Sequence, residues 1–485
     1  MDPMIAYRLV VALAIGTAFF AACSEDPIPP AETPTTTEGP GTSTGAPVTS
    51  GPASTTLDDP TRGEPDGTTM PDDGDDGDDG DDGDGSTGSG IKLDVGGGQD
   101  SHDIELTGRV LAPNAEIPIA SALVYLTTQP PAGIPDGVYC DECETLGPQE
   151  FFTTTEPDGT FQLIASSNAI GQDDTFLVIK KGQFLRVSPI TVSKGEQAVA
   201  ELMTQLPGVH DPASGRWIPR IAVYETWPDE VFNVLAKFGL AQVSPVGTLI
   251  PGTEQFTLLP DNSGALMDDL TQMSQYHIIF LPCATSVFWP QAPLVSSQRI
   301  QNIRDYVAAG GRWYATDHSN EYIKDPFPSY LDLHSPGMPD IQPAYTVSGT
   351  VVDEGLLVWL DALPPALADI GGGNPTLGSL PFVELRDNYS GIDAVHEVLV
   401  PDGEGMNVNV GPHTWVSGPC TSCADPLVER PMAITGQYGC GRMMYSTFET
   451  SSAPHQGLNP QELLLLYMIL EIGTCQDDLV PPPQG

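Results

Sequence analysis

Short runs of alternating apolar and polar residues occupy the chain between residues 102 and 207. Gly, Pro, Asp or Ser separate the runs, as expected for strands joined by turns. Asp158 and Gly159 interrupt the third run and predict a tight hairpin, because these residues tolerate positive φ. We therefore predict an all-β sandwich over residues 102–207. Its strands lie within Glu105–Leu111, Ala122–Thr128, Phe151–Ala165, Thr175–Gly182 and Phe184–Val192.

The pattern changes after Arg220, where apolar runs alternate with amphipathic helical segments. RIAVYE, QFTLL, YHIIFLP and RWYAT are typical of buried strands, and Ser296 or Ser297 with Gly310 would bound a helix between the last two. This alternation predicts an α/β domain over residues 216–475, a flavodoxin-like parallel sheet with helices on both faces. Residues of about 320–430, rich in Pro and Gly, look like an insertion, and 476–485 form a tail.

The first 23 residues have the pattern of an export signal. Arg8 precedes an apolar run, Leu9–Ala22, that is too short to span a bilayer. The run ends in FAAC, which resembles the lipobox of bacterial lipoproteins. The resemblance implies that Cys23 is acylated and anchors the protein to a membrane, and Ser24 implies the outer membrane or cell surface. Ordinary secretion with a cysteine by chance is the alternative.

Residues 24–101 are dominated by Pro, Thr, Ser, Gly and Asp. Such a segment cannot bury enough apolar area to offset its ordering entropy, so we predict a disordered tether. Its acidic repeat offers oxygen ligands but lacks the closing Glu of an EF-hand loop, so we expect at most weak calcium binding by Asp72 to Asp84. We predict no other cofactor and no specific metal site.

The charge balance excludes one class of partner. The chain has 18 Lys and Arg against 65 Asp and Glu, a formal net charge of -47. Such a chain would repel DNA or RNA, so no nucleic-acid partner is expected. The hydrophobic fraction of 40% still leaves room for a folded core.

Two CxxC motifs bear on the compartment. Cys140 and Cys143 could be a redox motif, half of a zinc site or a local disulfide. No strand–helix unit places them at a helix N-terminus, so we expect a disulfide between them in an exported protein. Cys420 and Cys423 allow the same interpretation, or would complete a four-sulfur zinc site if the two loops met.

The remaining cysteines can be sorted by element length. The strand after Cys440 and the helix before Cys475 run in opposite directions over nearly equal lengths, so we expect these two cysteines at one edge, joined by a disulfide. With Cys23 acylated, one thiol, Cys283, remains.

Two family resemblances follow from these segments. LTGRVL, IPIASALVYL and TTTEPDGTFQL resemble the carboxypeptidase regulatory-like, transthyretin-like domain. That resemblance implies a spacer or carbohydrate-facing binding module without catalytic residues. YHIIFLPCA, YVAAGGRWYATDHS and PMAITGQYGCGRMMYSTFETS resemble the class I glutamine amidotransferase-like fold, nearest to its trehalose-utilisation-type branch. The resemblance implies a nucleophile elbow after the fourth strand, but Asp317 stands where the family has its cysteine.

Candidate chemistry centres on that elbow. A carboxylate attacks acyl groups poorly, but Asp317 and His318 could act as a base pair or, with Glu321, form part of a metal or sugar site. Alternatively, Asp317 caps the following turn and His318 is a partly buried polar residue. Cys283 follows the third strand, at the sheet edge where ligands bind in such folds, and is a candidate nucleophile or a buried small side chain.

Nearby aromatic residues could stack on a sugar or belong to the core: Trp289, Trp313 and Tyr322. Two functions therefore stay open. The first is a surface-anchored lipoprotein that binds envelope glycan or protein without chemistry, which the missing elbow thiol favours. The second is a hydrolase acting on a sugar or amide through Asp317, His318, Glu321 and Cys283.

Overall fold

In a computed structural model of the chain, the described residues begin at His102 and end at position 483. Gaps in this range fall at 144–145, 147–150, 169, 171–174, 261–263, 284–295, 335–342, 372–376, 403–404, 451–452 and 473–481. The predicted export signal, Cys23 and the acidic tether therefore lie outside the described residues, as do Trp289 and Cys475.

The first part of the described chain is built of strands, and we call it the β region (102–217). Apolar side chains alternate as predicted, so that Ile104 and Leu106 are buried while their neighbours are more exposed. One sheet has the order β4-β1-β7 and the other β3-β2-β5-β6-β8, where the strands are β1 (His102–Arg109), β2 (Leu123–Thr127), β3 (Phe151–Thr154), β4 (Thr160–Ser166), β5 (Thr175–Lys181), β6 (Phe184–Ile190), β7 (Gly195–Ala198) and β8 (Arg216–Trp217). A short helix, α1 (Glu201–Thr204), and a 3-10 turn at Pro212–Ser214 precede β8.

The turn at Asp158-Gly159 differs from the predicted hairpin. Gly159 has a positive φ of 81°, but β3 pairs with β2 while β4 pairs with β1. The turn therefore passes from one sheet to the other. The Glu156 amide donates to the Thr160 carbonyl across the turn (2.8 Å), and the carbonyl of Gly159 accepts a hydrogen bond from the Val110 amide (2.7 Å), so the end of β1 also holds the turn in place.

The α/β region (221–472) holds a nine-stranded sheet of order β10-β9-β11-β12-β21-β20-β19-β14-β15. Neighbouring strands from β10 to β21 are parallel, and those from β21 to β15 are antiparallel. Two small sheets, β13-β16 and β17-β18, lie outside it. The strands are β9 (Ile221–Glu225), β10 (Thr257–Pro260), β11 (Ile278–Leu281), β12 (Arg312–Thr316), β13 (Leu331–Leu333), β14 (Tyr345–Val351), β15 (Phe382–Asn388), β16 (Ile392–Val395), β17 (Leu399–Pro401), β18 (Asn407–Asn409), β19 (His413–Pro419), β20 (Glu429–Tyr438) and β21 (Gly441–Ser446).

The helices of this region begin at identifiable caps. Ser296 caps α4 by accepting from the Arg299 amide. Asn459 and Glu462 form a capping box at α7, each side chain accepting from the other's backbone amide, with Pro460 at the first helical position. The helices are α2 (Val231–Leu235), continued by a π-helical segment at Ala236–Leu240, α3 (Leu270–Met273), α4 (Ser297–Ala308), α5 (Glu321–Lys324), α6 (Glu354–Ala362) and α7 (Pro460–Ile472), with 3-10 turns at Gly264–Asp268, Asp317–Asn320 and Pro365–Ala368.

The predicted parallel sheet is therefore only half of the sheet that forms. The segment interpreted as an insertion supplies β14, β15 and β19 to the antiparallel half. Helices cover both faces, as the strand pattern predicts. Along β9, Val223 contributes to the core that holds α2 and α7, whereas Tyr224 points to the core that holds α4 and α5.

The β region shares the first of these cores with the α/β region, since Leu106 and Leu177 lie in the same cluster as Val223 and Leu466. Polar contacts reinforce the junction. The Trp359 indole donates to the Pro118 carbonyl (2.9 Å), and the nearly buried Lys181 ammonium lies 2.6 Å from a Glu471 carboxylate oxygen.

This junction corrects two predicted disulfides. Cys140 is bonded to Cys440, so neither the local Cys140–Cys143 bond nor the Cys440–Cys475 bond is formed. The loop after β2 lies against the turns of the α/β region, with the Val138 amide donating to the Ser274 carbonyl (2.8 Å). Cys140 therefore meets the β20–β21 turn, which the separate treatment of the two regions could not anticipate. Cys143 is itself in a disulfide.

The second CxxC motif forms the bond that its spacing predicts. Cys420 and Cys423 are joined, and both are buried. A four-sulfur zinc site from the two motifs is excluded, because Cys140, Cys143, Cys420 and Cys423 are all oxidised in the described structure.

Candidate functional site

Four acidic or thiol side chains follow four neighbouring parallel strands. Asp229 comes after β9, Cys283 after β11, Asp317 after β12 and Glu449 after β21. These strands are adjacent in the sheet, so their carboxyl ends meet at one edge. This edge is where open α/β sheets bind ligands.

Asp317 stands at a sharp turn between β12 and a 3-10 turn. Its φ is 41°, in the left-handed region that a residue with a Cβ seldom adopts. The Tyr389 amide is 3.2 Å from each Asp317 carboxylate oxygen, and the Tyr445 hydroxyl donates to the Asp317 carbonyl (2.9 Å). The backbone of β12, Asp317 and the following 3-10 turn has the shape of a nucleophile elbow, with the Asp317 carboxylate at the position of the nucleophile.

Three of the four side chains form a cluster, which we call the thiol–carboxylate cluster: Cys283, Asp317 and Glu449. One potential ligand atom from each lies within 4.8 Å of the other two. Cys283 and Asp317 have no exposed surface, and Glu449 is 4% exposed. All three side chains of the cluster are therefore buried.

The electrostatics of the thiol–carboxylate cluster favour protonated groups. Burial, and then the charges of Cys283, Asp317 and Asp229, raise the pKa of Glu449 well above its usual value. A side-chain hydrogen bond with Cys283 adds to this upward shift.

Asp229 completes the edge through hydroxyl groups. Its carboxylate accepts from the hydroxyls of Thr316 and Thr450, each at 2.5 Å, and from the Thr450 amide at 2.9 Å. Burial nevertheless raises the pKa of Asp229 to about 6. The Thr316 hydroxyl also accepts from the Cys283 amide (2.7 Å), so Asp229 positions Cys283 through Thr316.

The other predicted site residues lie near the cluster but not in it. His318 is 2% exposed, and its ring lies 5.2 Å from the Tyr389 ring, centroid to centroid. Glu321 is half-buried at the start of α5; burial raises its pKa, with Lys324 opposing the shift. The structure does not place Glu321 among the groups that could share a ligand with Asp317.

The aromatic residues considered for sugar stacking belong to the core. Trp313 has no exposed surface and donates from its indole nitrogen to the Tyr322 carbonyl (3.0 Å). Tyr322 is 1% exposed in the same cluster. Neither ring can stack on a sugar in this structure, so that interpretation is wrong for both; Trp289 lies outside the described residues.

Sequence reasoning missed Glu449 and Asp229. A usable signal existed for Asp229, which follows the first predicted strand, RIAVYE. None existed for Glu449, because the place of its strand in the sheet had not been predicted. Glu449 lies in TFETS, directly after the strand GRMMYS. Recognising the pattern required knowing that β21 pairs with β12.

A second buried group of ionisable side chains lies at the start of α7, and we call it the charge triad: Lys237, His455 and Glu462. The Lys237 ammonium is 3.2 Å from Glu462 Oε1, and His455 Nε2 is 2.9 Å from Glu462 Oε2. Burial raises the pKa of Glu462, but hydrogen bonding to His455 and the Lys237 charge more than offset this, so the net shift is downward. Burial lowers the pKa of Lys237 by more than Glu462 raises it.

Among the described residues, no helix has both the length and the apolar character needed to cross a membrane.

Comparisons with known proteins add no assignment. No family model and no curated protein match this chain. Solved structures with partial similarity include a ThuA-like protein from Bacteroides uniformis, 12% identical, covering 51% of this chain and 88% of that one, with a TM-score of 0.28. A cytoplasmic protein from Salmonella typhimurium is 11% identical, covering 54% of this chain and 100% of that one, with a TM-score of 0.30.

A β-galactosidase from Bacillus circulans sp. alkalophilus is 12% identical, covering 54% of this chain but only 32% of its own, with a TM-score of 0.27. Likenesses this weak assign neither a family nor an activity to this chain.

Proposed function

We propose that this chain is an exported, surface-anchored lipoprotein that binds envelope glycan or protein without catalysing a reaction. The observation that supports the absence of chemistry is the state of Cys283. Among the described cysteines it is the one outside a disulfide; it is fully buried and lies beside the carboxyl groups of Asp317 and Glu449. A thiol nucleophile must be accessible to its substrate, and burial denies this sulfur such access.

Export is supported by the disulfides. Cys140–Cys440 and Cys420–Cys423 would not persist in a reducing cytosol. The proposal assigns the anchor to Cys23 and the reach from the membrane to the acidic tether. Binding then falls to the folded part beyond the tether.

The test of the non-catalytic assignment is the reactivity of Cys283 in the native chain. We expect iodoacetamide followed by peptide mass spectrometry to find Cys283 unmodified until the protein is unfolded. Rapid labelling of the folded protein at Cys283 would overturn the assignment and favour the hydrolase.

Anchoring and binding need separate tests. We expect the chain made in a bacterial host with its leader to enter the detergent phase of Triton X-114, and Cys23→Ser to move it to the aqueous phase. For binding, the aqueous-phase protein is sedimented with purified peptidoglycan sacculi and, separately, with sacculi-free outer-membrane vesicles. Binding to neither would contradict the proposed role.

A hydrolase is the second candidate, and one observation favours it. Asp317 has the positive φ of an elbow residue at the ligand-binding edge of the sheet. In that case Asp317, His318 and Cys283 would act on a sugar or amide, and the labelling experiment above would find an accessible thiol.

A further inference from the structure

The three side chains of the thiol–carboxylate cluster are metal ligands by chemistry. A thiolate sulfur and two carboxylate oxygens form a mixed soft and hard donor set, which suits zinc and disfavours calcium or magnesium, whose ligands are oxygens. The ligands come from three different loops, after β11, β12 and β21, so the backbone of the sheet edge fixes their relative positions.

The spacing of the three donors fits one ion. They lie within 4.8 Å of one another, and a zinc–sulfur and a zinc–oxygen bond together span about 4.4 Å at most. Small side-chain rotations therefore bring all three donors onto a common centre. Exposed acidic groups often approach this closely without binding anything, but here all three residues are buried.

One oxygen of the cluster lacks a hydrogen bond. Glu449 Oε2 is buried and has no hydrogen-bond partner among the described residues, although the Glu449 carboxyl group is within hydrogen-bonding reach of the Cys283 thiol. A buried carboxylate oxygen left unsatisfied is costly, so such atoms are normally paired, protonated or bound to a metal. Asp317, by contrast, already receives the Tyr389 amide.

We infer that Cys283, Asp317 and Glu449 form a site for a single zinc-type divalent cation at the carboxyl edge of the parallel strands. Binding displaces the protons of the Cys283 thiol and of Glu449, so that the cation replaces them as the source of positive charge. Because the three ligands are buried, the chain is loaded by folding it in the presence of the ion, which then joins the ends of β11, β12 and β21 through Cys283, Asp317 and Glu449. The inference goes beyond the proposed function, since neither anchoring nor binding to the envelope requires it.

The test uses the full chain loaded with zinc and, in parallel, with cobalt. We expect one zinc per chain in addition to any weak binding by the acidic tether. X-ray absorption should find one sulfur in the zinc shell at about 2.3 Å. The cobalt form should show the near-ultraviolet charge-transfer absorption of a cobalt–thiolate bond, which carboxylates of the tether cannot produce.

Three variants make the result specific. Cys283→Ser should abolish the charge-transfer absorption, and Glu449→Gln should weaken zinc binding at least about tenfold. Glu321→Gln, a half-buried carboxylate outside the cluster, is the matched control and should change neither. Circular dichroism checks that each variant folds. If a variant does not fold, the absorption spectrum of the wild-type cobalt form still tests the inference.

Two results would overturn the inference. Zinc bound with no sulfur in its shell would place the metal on the tether or on surface carboxylates. A wild-type chain that is refolded in the presence of zinc and retains none would mean that Cys283 and Glu449 share a proton instead. Either result would leave anchoring at Cys23 and envelope binding unaffected, so the two proposals can fail separately.

Discussion

Two buried groups of ionisable side chains lie in the α/β region, and each contains a buried glutamate. The two glutamates differ in the charges of their neighbours. In the charge triad, Glu462 faces Lys237 and His455, and its own helix start supplies the Asn459 amide. In the thiol–carboxylate cluster, Glu449 faces Cys283 and Asp317, with Asp229 nearby. The first group contains its own cations, and the second must obtain a proton or a metal.

The directions of the pKa shifts express this difference. The pKa of Glu462 lies below its usual value and that of Glu449 well above it, although burial raises both. Burial alone therefore does not decide the charge of a carboxylate; its neighbours do. Glu462 therefore contributes to stability as an anion, whereas Glu449 needs a proton or a metal ion to balance its charge.

The largest expected effect comes from Glu462→Gln. Glutamine can keep the capping box, so the substitution removes mainly the charge and leaves Lys237 and His455 buried together. Breaking a buried ion pair in this way should lower the free energy of unfolding by about 3–5 kcal/mol. Urea unfolding measures it. A loss below about 1 kcal/mol would show that the charge triad does not stabilise the fold.

Thr450→Val should have a smaller effect. Its hydroxyl donates to the buried Asp229 carboxylate, and hydrogen bonds to charged groups contribute about 1.5–3 kcal/mol. The matched control is Thr447→Val, which removes a hydrogen bond to the uncharged Asn388 amide and should cost about 1 kcal/mol. Equal losses in urea unfolding would indicate that Asp229 is neutral in the folded protein.

His455→Asn should change how stability depends on pH. Burial lowers the pKa of His455, but Glu462 more than offsets this and the net shift is upward from 6.5. The imidazolium therefore stabilises the fold fully below pH 6.5, and this contribution is lost as pH rises through the higher folded pKa. Glu462, with its lowered pKa, contributes above pH 4.5 and is lost as pH falls through the folded value.

Thermal unfolding of wild type and His455→Asn from pH 5 to 8 tests this linkage. The gap between the two proteins should be widest below pH 6.5 and should narrow at higher pH. A gap that is constant across the range would mean that His455 acts only through packing.

The smallest expected effect is that of Glu449→Gln in metal-free protein. The substitution matches Glu462→Gln chemically. The side chains that shift the Glu449 pKa most are Cys283, Asp317 and Asp229, and none of these three is a cation. The free energy of unfolding should stay within about 1 kcal/mol of wild type. A loss as large as that of Glu462→Gln would erase the distinction between the two groups.

Sequence patterns predicted the elements of the parallel half well, because buried strands such as Ile278–Leu281 and capped helices such as Ser297–Ala308 are local features. They also placed Cys283 and Asp317 at the correct sheet edge. Glu449 could not be found in this way, since its position depends on β21 pairing with β12 across more than a hundred residues.

The disulfide Cys140–Cys440 was also missed because it depends on a non-local contact. Its two cysteines are 300 residues apart, and they meet only because the β region and the α/β region share a core. Local spacing predicts the disulfide between Cys420 and Cys423 correctly. It fails for Cys140, whose partner is set by the contact between the two regions. Likewise, β14 and β15 join the main sheet through strand pairing that no local pattern specifies.

The most direct test of the central claim is an anomalous difference map, at the zinc edge, from crystals of the zinc-loaded chain. The account predicts one strong peak between Cys283 Sγ and the carboxylates of Asp317 and Glu449, and none at the charge triad, which already contains its cations. An empty cluster, with Glu449 hydrogen-bonded to the Cys283 thiol in zinc-saturated crystals, would contradict it.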